Sequence, residues 1–194
     1  MDVKEILGVV AVFLTLVSSS VYYASIFKGK TKPHLYTRLV WASVESIIFF
    51  GQYVTGGGPG SWATGVAAVL TFGIVILCVR YGTKDITTSD KVALALALLC
   101  IVPWVVFKDP FWSVVLAALI DIWAIFPTLR KTWNDPGSES LLAWSISELR
   151  MVCAFFALST YSLTTWFYPV EAFIMNGVLI LIILYRRSRT PRRV

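Results

Sequence analysis

The chain has 194 residues, of which 57% are hydrophobic and only 14% charged, and its formal net charge is +6. A soluble domain of this length could not bury so much apolar surface, so the composition excludes an ordinary soluble protein and predicts one embedded in lipid. Apolar segments take up nearly the whole length, which leaves no room for a separate soluble catalytic domain. Any function must therefore reside within the membrane helices.

Seven apolar segments approach the length of about 20 residues that an α-helix needs to cross a bilayer. The first, Ile6 to Phe27, has no basic flank before it and no small-residue cleavage pattern, so we expect a retained helix rather than a signal peptide. The fourth is the shortest and contains Pro103, which disfavours a continuous helix. The predicted spans cover residues 5–27, 37–55, 61–80, 91–107, 110–130, 140–159 and 164–186.

Lysine and arginine are distributed unevenly about these spans. If the spans alternate in direction, all of the 17 basic residues except Lys4, Lys108 and Arg150 fall on one side of the membrane. Loops rich in Lys and Arg stay in the cytoplasm. The pattern therefore predicts an external amino terminus and a cytoplasmic carboxyl terminus, and we expect the membrane to be a bacterial inner membrane.

The three cysteines, Cys78, Cys100 and Cys153, occur singly in apolar runs without the spacing of a disulfide framework or a zinc site. We expect them to be small buried side chains. No nucleophile-and-base pair is visible, so an intramembrane enzyme has little support. The sequence predicts no catalytic residue, no metal site and no cofactor. The basic tail is typical of a helix anchor, and we expect no nucleic-acid partner.

An internal repeat becomes visible when the chain is shifted on itself by 103 positions. Two of the matching residue types, Trp and an intramembrane Glu, are rare in apolar helices, which favours duplication. The alternative is that apolar helices resemble one another by composition alone. The shift aligns Pro33, Leu39, Trp41 and Glu45 with Pro136, Leu142, Trp144 and Glu148.

The repeat predicts the architecture. A shift of four helices keeps the two copies in the same direction across the membrane, as in parallel transporter repeats. We expect an all-α membrane protein with seven transmembrane helices, in which two parallel triple-helix bundles are joined by a linker helix (3+1+3). The first bundle covers residues 1–85, the linker helix 86–109, and the second bundle with its basic tail 110–194.

The segment from Phe126 to Glu148, FPTLRKTWNDPGSESLLAWSISE, contains a proline, a short basic loop and a serine at the start of the next helix. These features, at Pro127, Arg130 with Lys131, and Ser140, resemble the PQ-loop of the SWEET and PQ-loop transporter superfamily. The chain departs from that pattern at Thr128, where the family usually has Gln, and at Ala24, where the first copy would have proline. The resemblance implies two triple-helix bundles, an external amino terminus and solute transport.

Charged side chains inside the spans are the strongest functional signal. A charge at the bilayer centre costs about 2.5 to 3.5 kcal/mol on insertion scales, so such residues usually face a cavity or a partner. At ~1.5 Å per residue, three of the acids are predicted roughly 12 to 14 Å from the cytoplasmic ends of their helices. The charged residues are Glu45, Asp121, Glu148, Arg150 and Glu171, the first three being the acids at that level.

Trp41 and Trp144 precede Glu45 and Glu148 by four residues, which puts each Trp one turn from its acid on the same helix face. We interpret these pairs as walls of a substrate site, where rings stack on the solute and a carboxyl group exchanges protons. The alternative is that each Glu only bonds a neighbouring helix. Asp121 and Arg150 could form a structural ion pair or contact the ligand.

Three further residues complete the candidate set. Asn176, in the seventh span, resembles by location the ligand-contacting Asn of SWEET-type proteins, and we place it in the substrate site. Glu171, beside Pro169, could belong to a gate or face water. Arg150 and Pro127 are further candidates for a gate.

The leading hypothesis is a small-molecule transporter or facilitator that works by alternating access around this central site. Its partners would be the lipid bilayer, a small solute and, where transport is coupled, protons. The second hypothesis is a membrane receptor or assembly protein on the same fold, because receptors also occur in the PQ-loop clan. Solute movement separates the two.

Overall fold

A computed structural model describes residues 1–29, 33–82, 88–137 and 139–189, without the side chains of residues 89, 90, 127 and 131. Within these ranges the chain is helical and contains no β-strand. A short 3₁₀ turn, Gly58–Ser61, precedes the third helix. The α-helices are α1 (Val3–Phe27), α2 (Leu35–Val54), α3 (Trp62–Tyr81), α4 (Thr88–Leu99), α5 (Val102–Phe107), α6 (Phe111–Asn134), α7 (Leu141–Phe156) and α8 (Leu163–Arg189).

Four helical segments are long and apolar enough to cross a membrane, judged by length and composition. They are α1, α6, α8 and the segment Gly58–Tyr81, which contains α3. The segment Lys91–Phe107 is apolar but shorter. The helices α2 and α7 carry the charged residues Arg38, Glu45, Glu148 and Arg150. The all-helical fold class is therefore confirmed, and the composition of four of its helices is that of a membrane protein.

The predicted fourth span is not one continuous helix. It is divided into α4 and α5 at Cys100 and Ile101, and Pro103 occupies the first turn of α5. Proline has no amide hydrogen and its ring collides with the carbonyl group four residues earlier, here that of Leu99. The first turn of a new helix tolerates proline, because the amide groups there have no partner within the helix. The predicted segment 91–107 is helical and apolar, and its interruption lies near Pro103, which the sequence marked as unfavourable for a continuous helix.

Side chains at the helix starts explain where α2 and α7 begin. The His34 ring accepts a hydrogen bond from the amide of Thr37 (3.4 Å), and the Ser140 hydroxyl accepts one from the amide of Ala143 (3.3 Å). Each bond satisfies an amide that the helix itself leaves without a partner. The serine predicted at the start of the sixth span is thus the N-cap of α7.

We call α1–α3 the first group of helices and α6–α8 the second group. In the first group α3 contacts both α1 and α2, and in the second group α8 contacts both α6 and α7. Between the groups, α1 packs against α7 and α2 packs against α6. The broken segment contributes mainly through α4, which packs against α2. The helix α2 therefore has neighbours in both groups.

Apolar packing is organised around α2. The largest cluster of buried apolar residues combines side chains of α2, α4, α6, α7 and α8, among them Val44, Ile48, Val114 and Met151. A second cluster joins α1, α3 and α7, and a third joins α1 and α3 with Leu35 at the start of α2. The three cysteines lie buried within these clusters as free thiols without disulfide bonds, which confirms the prediction that they are small buried side chains.

Hydrogen bonds join the two groups of helices at the end of the bundle where α1 begins, which we call the amino-terminal end. The amide of Ser159 donates to the carbonyl of Gly57 (3.1 Å), and the Lys4 amine donates to the carbonyl of Ser159 (3.4 Å). Deeper at the same end, the Gln52 amide group donates to the carbonyl of Thr165 (2.7 Å). These bonds connect the region before α3 with the α7–α8 loop.

The opposite end, where α8 finishes in arginines, we call the basic end. The Arg186 guanidinium donates to the carbonyl of Trp133 (2.8 Å) and lies 5.2 Å from the centre of the Trp133 ring. Arg187 donates to the carbonyls of Pro136 (3.0 Å) and Glu139 (2.8 Å). The last turn of α8 thus fixes the chain that leaves α6.

Gly60 provides a test of the amino-terminal contact. A Cβ atom at this position would lie 2.7 Å from the carbonyl oxygen of Ala154 and 2.8 Å from the amide nitrogen of Leu158, so the backbones would have to separate. We expect Gly60→Ala to lower the free energy of unfolding by about 1 to 3 kcal/mol, as other overpacked sites do. Thermal unfolding in detergent measures this, with Gly137→Ala in an exposed loop as the control. Equal stability of the two variants would contradict the packing described.

Candidate functional site

A polar stripe runs along one face of α2. Arg38, Trp41, Glu45 and Gln52 lie within an arc of about 60° at the 100° rotation per residue of an α-helix. The remaining buried positions of this helix are apolar apart from Gly51. The stripe is interrupted between Glu45 and Gln52, where the adjoining positions are the apolar Ile48 and Phe49.

Near the middle of this stripe, Glu45 belongs to a cluster of ionisable side chains from four helices. Asp121 on α6 interacts electrostatically with Glu45 and with Arg150 on α7. Glu171 on α8 interacts with Asp121, and the Tyr168 hydroxyl lies within electrostatic range of all four charged groups. We call these five residues the acid cluster. Asp121 thus lies within electrostatic range of Glu45, Arg150 and Glu171.

Three members of the acid cluster are buried between the helices, and Glu45 and Asp121 are half-buried. Arg150 is 8% exposed, Glu171 6% and Tyr168 4%. We count residues from the helix ends that lie at the amino-terminal end of the bundle. At ~1.5 Å per residue, the five Cα atoms lie roughly 8 to 15 Å from that end. That range reaches the centre of a hydrocarbon core of about 30 Å. The cluster is therefore placed where charges are most costly.

Several polar atoms of this region have no hydrogen-bond partner among the described residues. They include one oxygen of Glu45 (Oε2), both oxygens of Glu171, the indole nitrogen of Trp41 and the side-chain oxygen of Gln52. The other side of Glu45 is satisfied, because its carboxyl group is hydrogen-bonded by Thr71 of α3. Buried polar atoms are normally paired. Five such atoms lie along α2 and in the acid cluster, and an oxygen of Glu148 and the hydroxyl of Thr132 are two others.

Two candidate residues, Arg150 and Glu171, are enclosed by protein. Arg150 interacts electrostatically with Asp121, and no contact ion pair between them is found within the described part of the chain. The ion-pair role and the ligand role of Asp121 and Arg150 both stay predictions. Glu171 is enclosed by protein rather than facing water, because the outward positions of α8 at this level are taken by Phe173 and Ile174.

Trp41 lies at the basic side of the acid cluster. The Arg38 guanidinium lies 4.8 Å from the centre of the Trp41 ring and 4.2 Å from that of Tyr22. Cations are attracted to aromatic faces at such distances. Arg38 also interacts electrostatically with Glu45. The sequence predicted that Arg38 continues the stripe of Trp41 and Glu45, and the structure adds that its guanidinium lies against the Trp41 ring.

Glu148 is located apart from the acid cluster, although the sequence placed it in the same site. One of its oxygens faces Gly177 of α8, at 3.4 Å from where a Cβ atom would stand, and the other has no partner among the described residues. Arg150 is two positions further along α7 and points about 200° away from Glu148 around the helix axis. One helix therefore directs these two charges to different neighbours.

The two remaining members of the predicted site lie on the same side as Glu148. The Trp144 indole donates to the carboxylate of Glu139 (3.1 Å), in the loop before α7. Asn176 is buried on α8, and its amide donates to the hydroxyl of Ser147 at 3.4 Å, a long bond. The side chain of Pro127 lies outside the described part of the structure.

Three residues of the site were not predicted. Thr71, Tyr168 and Gln52 are neutral, so the search for intramembrane charge did not select them. Gln52 is fully buried, and its amide bond to the carbonyl of Thr165 ties α2 to the start of α8. Its spacing of seven residues from Glu45, two helical turns, was the signal available in the sequence.

An open groove on the surface between α7 and α8 is a poorer candidate. It has a volume of about 170 Å³ and is lined only by apolar residues, among them Met151, Phe155 and Phe173. Solute sites combine apolar walls with a few directed polar groups. In the described part of the chain, no group of His, Cys, Asp and Glu residues is arranged to hold a metal ion.

Comparison with known proteins adds no relative. The sequence matches no protein-family model, and it has no significant match among curated proteins or solved structures.

The charge balance of the acid cluster can be tested through stability. Removing the guanidinium in Arg150→Met leaves the carboxyl groups without their nearest base, and we expect a loss of about 3 kcal/mol or more in the free energy of unfolding. Adding Asp121→Asn should restore part of this loss, because one acid is removed as well. Thermal unfolding of both variants in detergent measures the coupling. Strictly additive effects would show that the two side chains do not interact.

Proposed function

We propose that the chain is a small-molecule membrane transporter whose solute binds at the acid cluster. One observation carries the proposal: the buried Arg150 and Glu171 and the half-buried Glu45 all lie within electrostatic range of Asp121 at mid-membrane depth, and three carboxylate oxygens there have no partner among the described residues. Ionisable groups inside a membrane usually mark the path of a solute or an ion. Buried polar groups that served only packing would be paired with each other.

We further propose the 3+1+3 arrangement, with α1–α3 and α6–α8 as the two bundles and the segment of α4 and α5 as the linker. The helix contacts support it, because α3 and α8 have equivalent places within their groups. The contacts of α1 with α7 and of α2 with α6 are also equivalent, since a two-fold axis along the membrane normal exchanges them.

The two duplicated acids support the same arrangement. Glu45 is bonded by Thr71 on the third helix of its own group, and Glu148 faces Gly177 on the third helix of its group. Each of the two acids thus faces the third helix of its own group. In this proposal Glu45 belongs to the central site, while Glu148, Trp144 and Asn176 form a second polar contact between α7 and α8.

The acid cluster is suited to alternating access because its members come from both bundles. Glu45 belongs to the first bundle, whereas Asp121, Arg150 and Glu171 belong to the second. Rocking of one bundle against the other would change the distance of Glu45 from the other charges. A solute that replaces the missing contacts would stabilise the closed arrangement, which is how a ligand shifts a conformational equilibrium.

Transport is tested with the purified protein in liposomes, by measuring swelling or uptake over a panel of small neutral, cationic and anionic solutes. For the solute that moves, we expect Asp121→Asn to lower the rate about tenfold or more, which corresponds to ~1.4 kcal/mol. Asp109→Asn removes the same charge from the exposed loop before α6 and should leave the rate unchanged.

Two outcomes would contradict the proposal. Solute movement that is insensitive to Asp121→Asn and Glu45→Gln would place the site elsewhere. A stable bound partner without movement of any solute would favour the receptor or assembly protein.

We also propose that the amino-terminal end is external and the basic end cytoplasmic, in a bacterial inner membrane. Lys108 and Arg189 are exposed at opposite ends of the bundle. The native cysteines are buried, so they provide a quiet background for thiol labelling. In intact cells we expect a membrane-impermeant maleimide to modify Lys108→Cys and to modify Arg189→Cys only after permeabilisation. The reverse pattern would invert the topology.

A further inference from the structure

The acid cluster contains more acid than base. Asp121 lies within electrostatic range of Glu45, Glu171 and Arg150, and the nearest additional base, Arg38, reaches only Glu45 within the cluster. Even when both arginines are counted, at least one carboxylate lacks a counter-charge. An uncompensated charge in a membrane interior is too costly to persist. A positive charge from outside the cluster must therefore be present in every state.

The helices packed around the cluster do not provide that charge. α3 contributes the hydroxyl of Thr71. Ala97 of α4 and the thiol of Cys100, which follows α4, belong to the largest apolar cluster. α8 adds the Tyr168 hydroxyl, and α1 reaches the basic side of the stripe with Tyr22. Within the described side chains, all of these groups are neutral. The missing charge must be a proton or a bound cation.

The unpaired atoms indicate what kind of cation fits. Both oxygens of Glu171 and one of Glu45 are buried without a partner among the described residues. An ionised carboxylate only accepts hydrogen bonds, so these oxygens require donors. A cation with N–H groups provides both the charge and the donors, and charge-assisted bonds of this kind are the strong ones.

We propose that the acid cluster binds a small organic cation bearing N–H groups, of the guanidinium or ammonium type, in exchange for a proton. The inference rests on the transport function proposed above. In the empty site, a surplus carboxyl group carries a proton. When a monovalent cation enters, the O–H bond of that group breaks, the proton leaves to the water on the same side, and the carboxylate binds the cation. On the other side of the membrane the cation leaves and a proton from water restores the carboxyl group, so the charge of the site never changes.

The guanidinium ion is the appropriate probe. It keeps its charge at every pH used, so it does not cross lipid as a neutral base, and its planar N–H groups match carboxylates. Urea is the matched control, because it has a similar shape and N–H groups but no charge. Tetramethylammonium is the second control, because it has the charge but no N–H group.

The experiment uses the full chain in liposomes that contain a pH-sensitive dye. Adding millimolar guanidinium outside should raise the internal pH as protons leave, and protein-free liposomes should show no change. Urea and tetramethylammonium should give a small fraction of the guanidinium signal. Glu171→Gln, which keeps the size of the side chain, should abolish the exchange, whereas Asp109→Asn should retain it. Thermal unfolding of each variant verifies that it is folded.

The outcomes separate this inference from the transport proposal. Equal movement of guanidinium and urea without proton movement would overturn proton exchange and leave transport intact. No response to guanidinium, together with swelling by another solute, would overturn the cation class alone. Movement of no solute at all would overturn both proposals. If Glu171→Gln does not fold, binding by the native chain still decides, because guanidinium but not urea should then raise its unfolding temperature.

Discussion

The structure depends on one constraint: charges buried among membrane helices need compensation that these helices do not fully supply. Glu45, Asp121 and Glu171 share the neighbourhood of Arg150, and several of their oxygens lack partners in the described part of the chain. The surrounding positions are mostly apolar, which keeps the local dielectric constant low and makes each charge strongly felt. In the proposal made above, a proton or a bound cation supplies this compensation.

The predicted 103-residue repeat relates Glu45 to Glu148, but it does not relate the other buried charges of the chain to one another. Under the 103-residue alignment, Glu45 corresponds to Glu148, yet Arg150 corresponds to Ile47, Asp121 to Ser18 and Glu171 to Ala68. The second copy therefore carries charge where the first has small or apolar side chains. As a consequence the site is asymmetric: three of its charged helices belong to the second group, and only α2 belongs to the first. A duplicated scaffold with a single site agrees with this division.

Sequence reasoning identified the helices and the buried charges because both follow from local composition. It also recognised Pro103 as a disturbance of the fourth span, although the division into α4 and α5 was not predicted. It could not decide which charges meet, because two residues on one helix separate by about 200° and the rotation of a helix is set by its neighbours. That is why Glu148 was placed beside Glu45, whereas Arg150 is the α7 residue that reaches it.

Gln52 and Glu171 differ in how their buried polar groups are satisfied. Both are buried on helices that meet near the amino-terminal end, yet the Gln52 amide donates a 2.7 Å bond to the carbonyl of Thr165, while neither oxygen of Glu171 has a partner among the described residues. The bond from Gln52 stabilises the packing of α2 against α8, and only the side-chain oxygen of Gln52 has no partner there. Glu171 gains no such bond within the described part of the chain, so packing alone does not account for a carboxyl group there. In our proposal, the group that completes Glu171 arrives from outside the protein and leaves again.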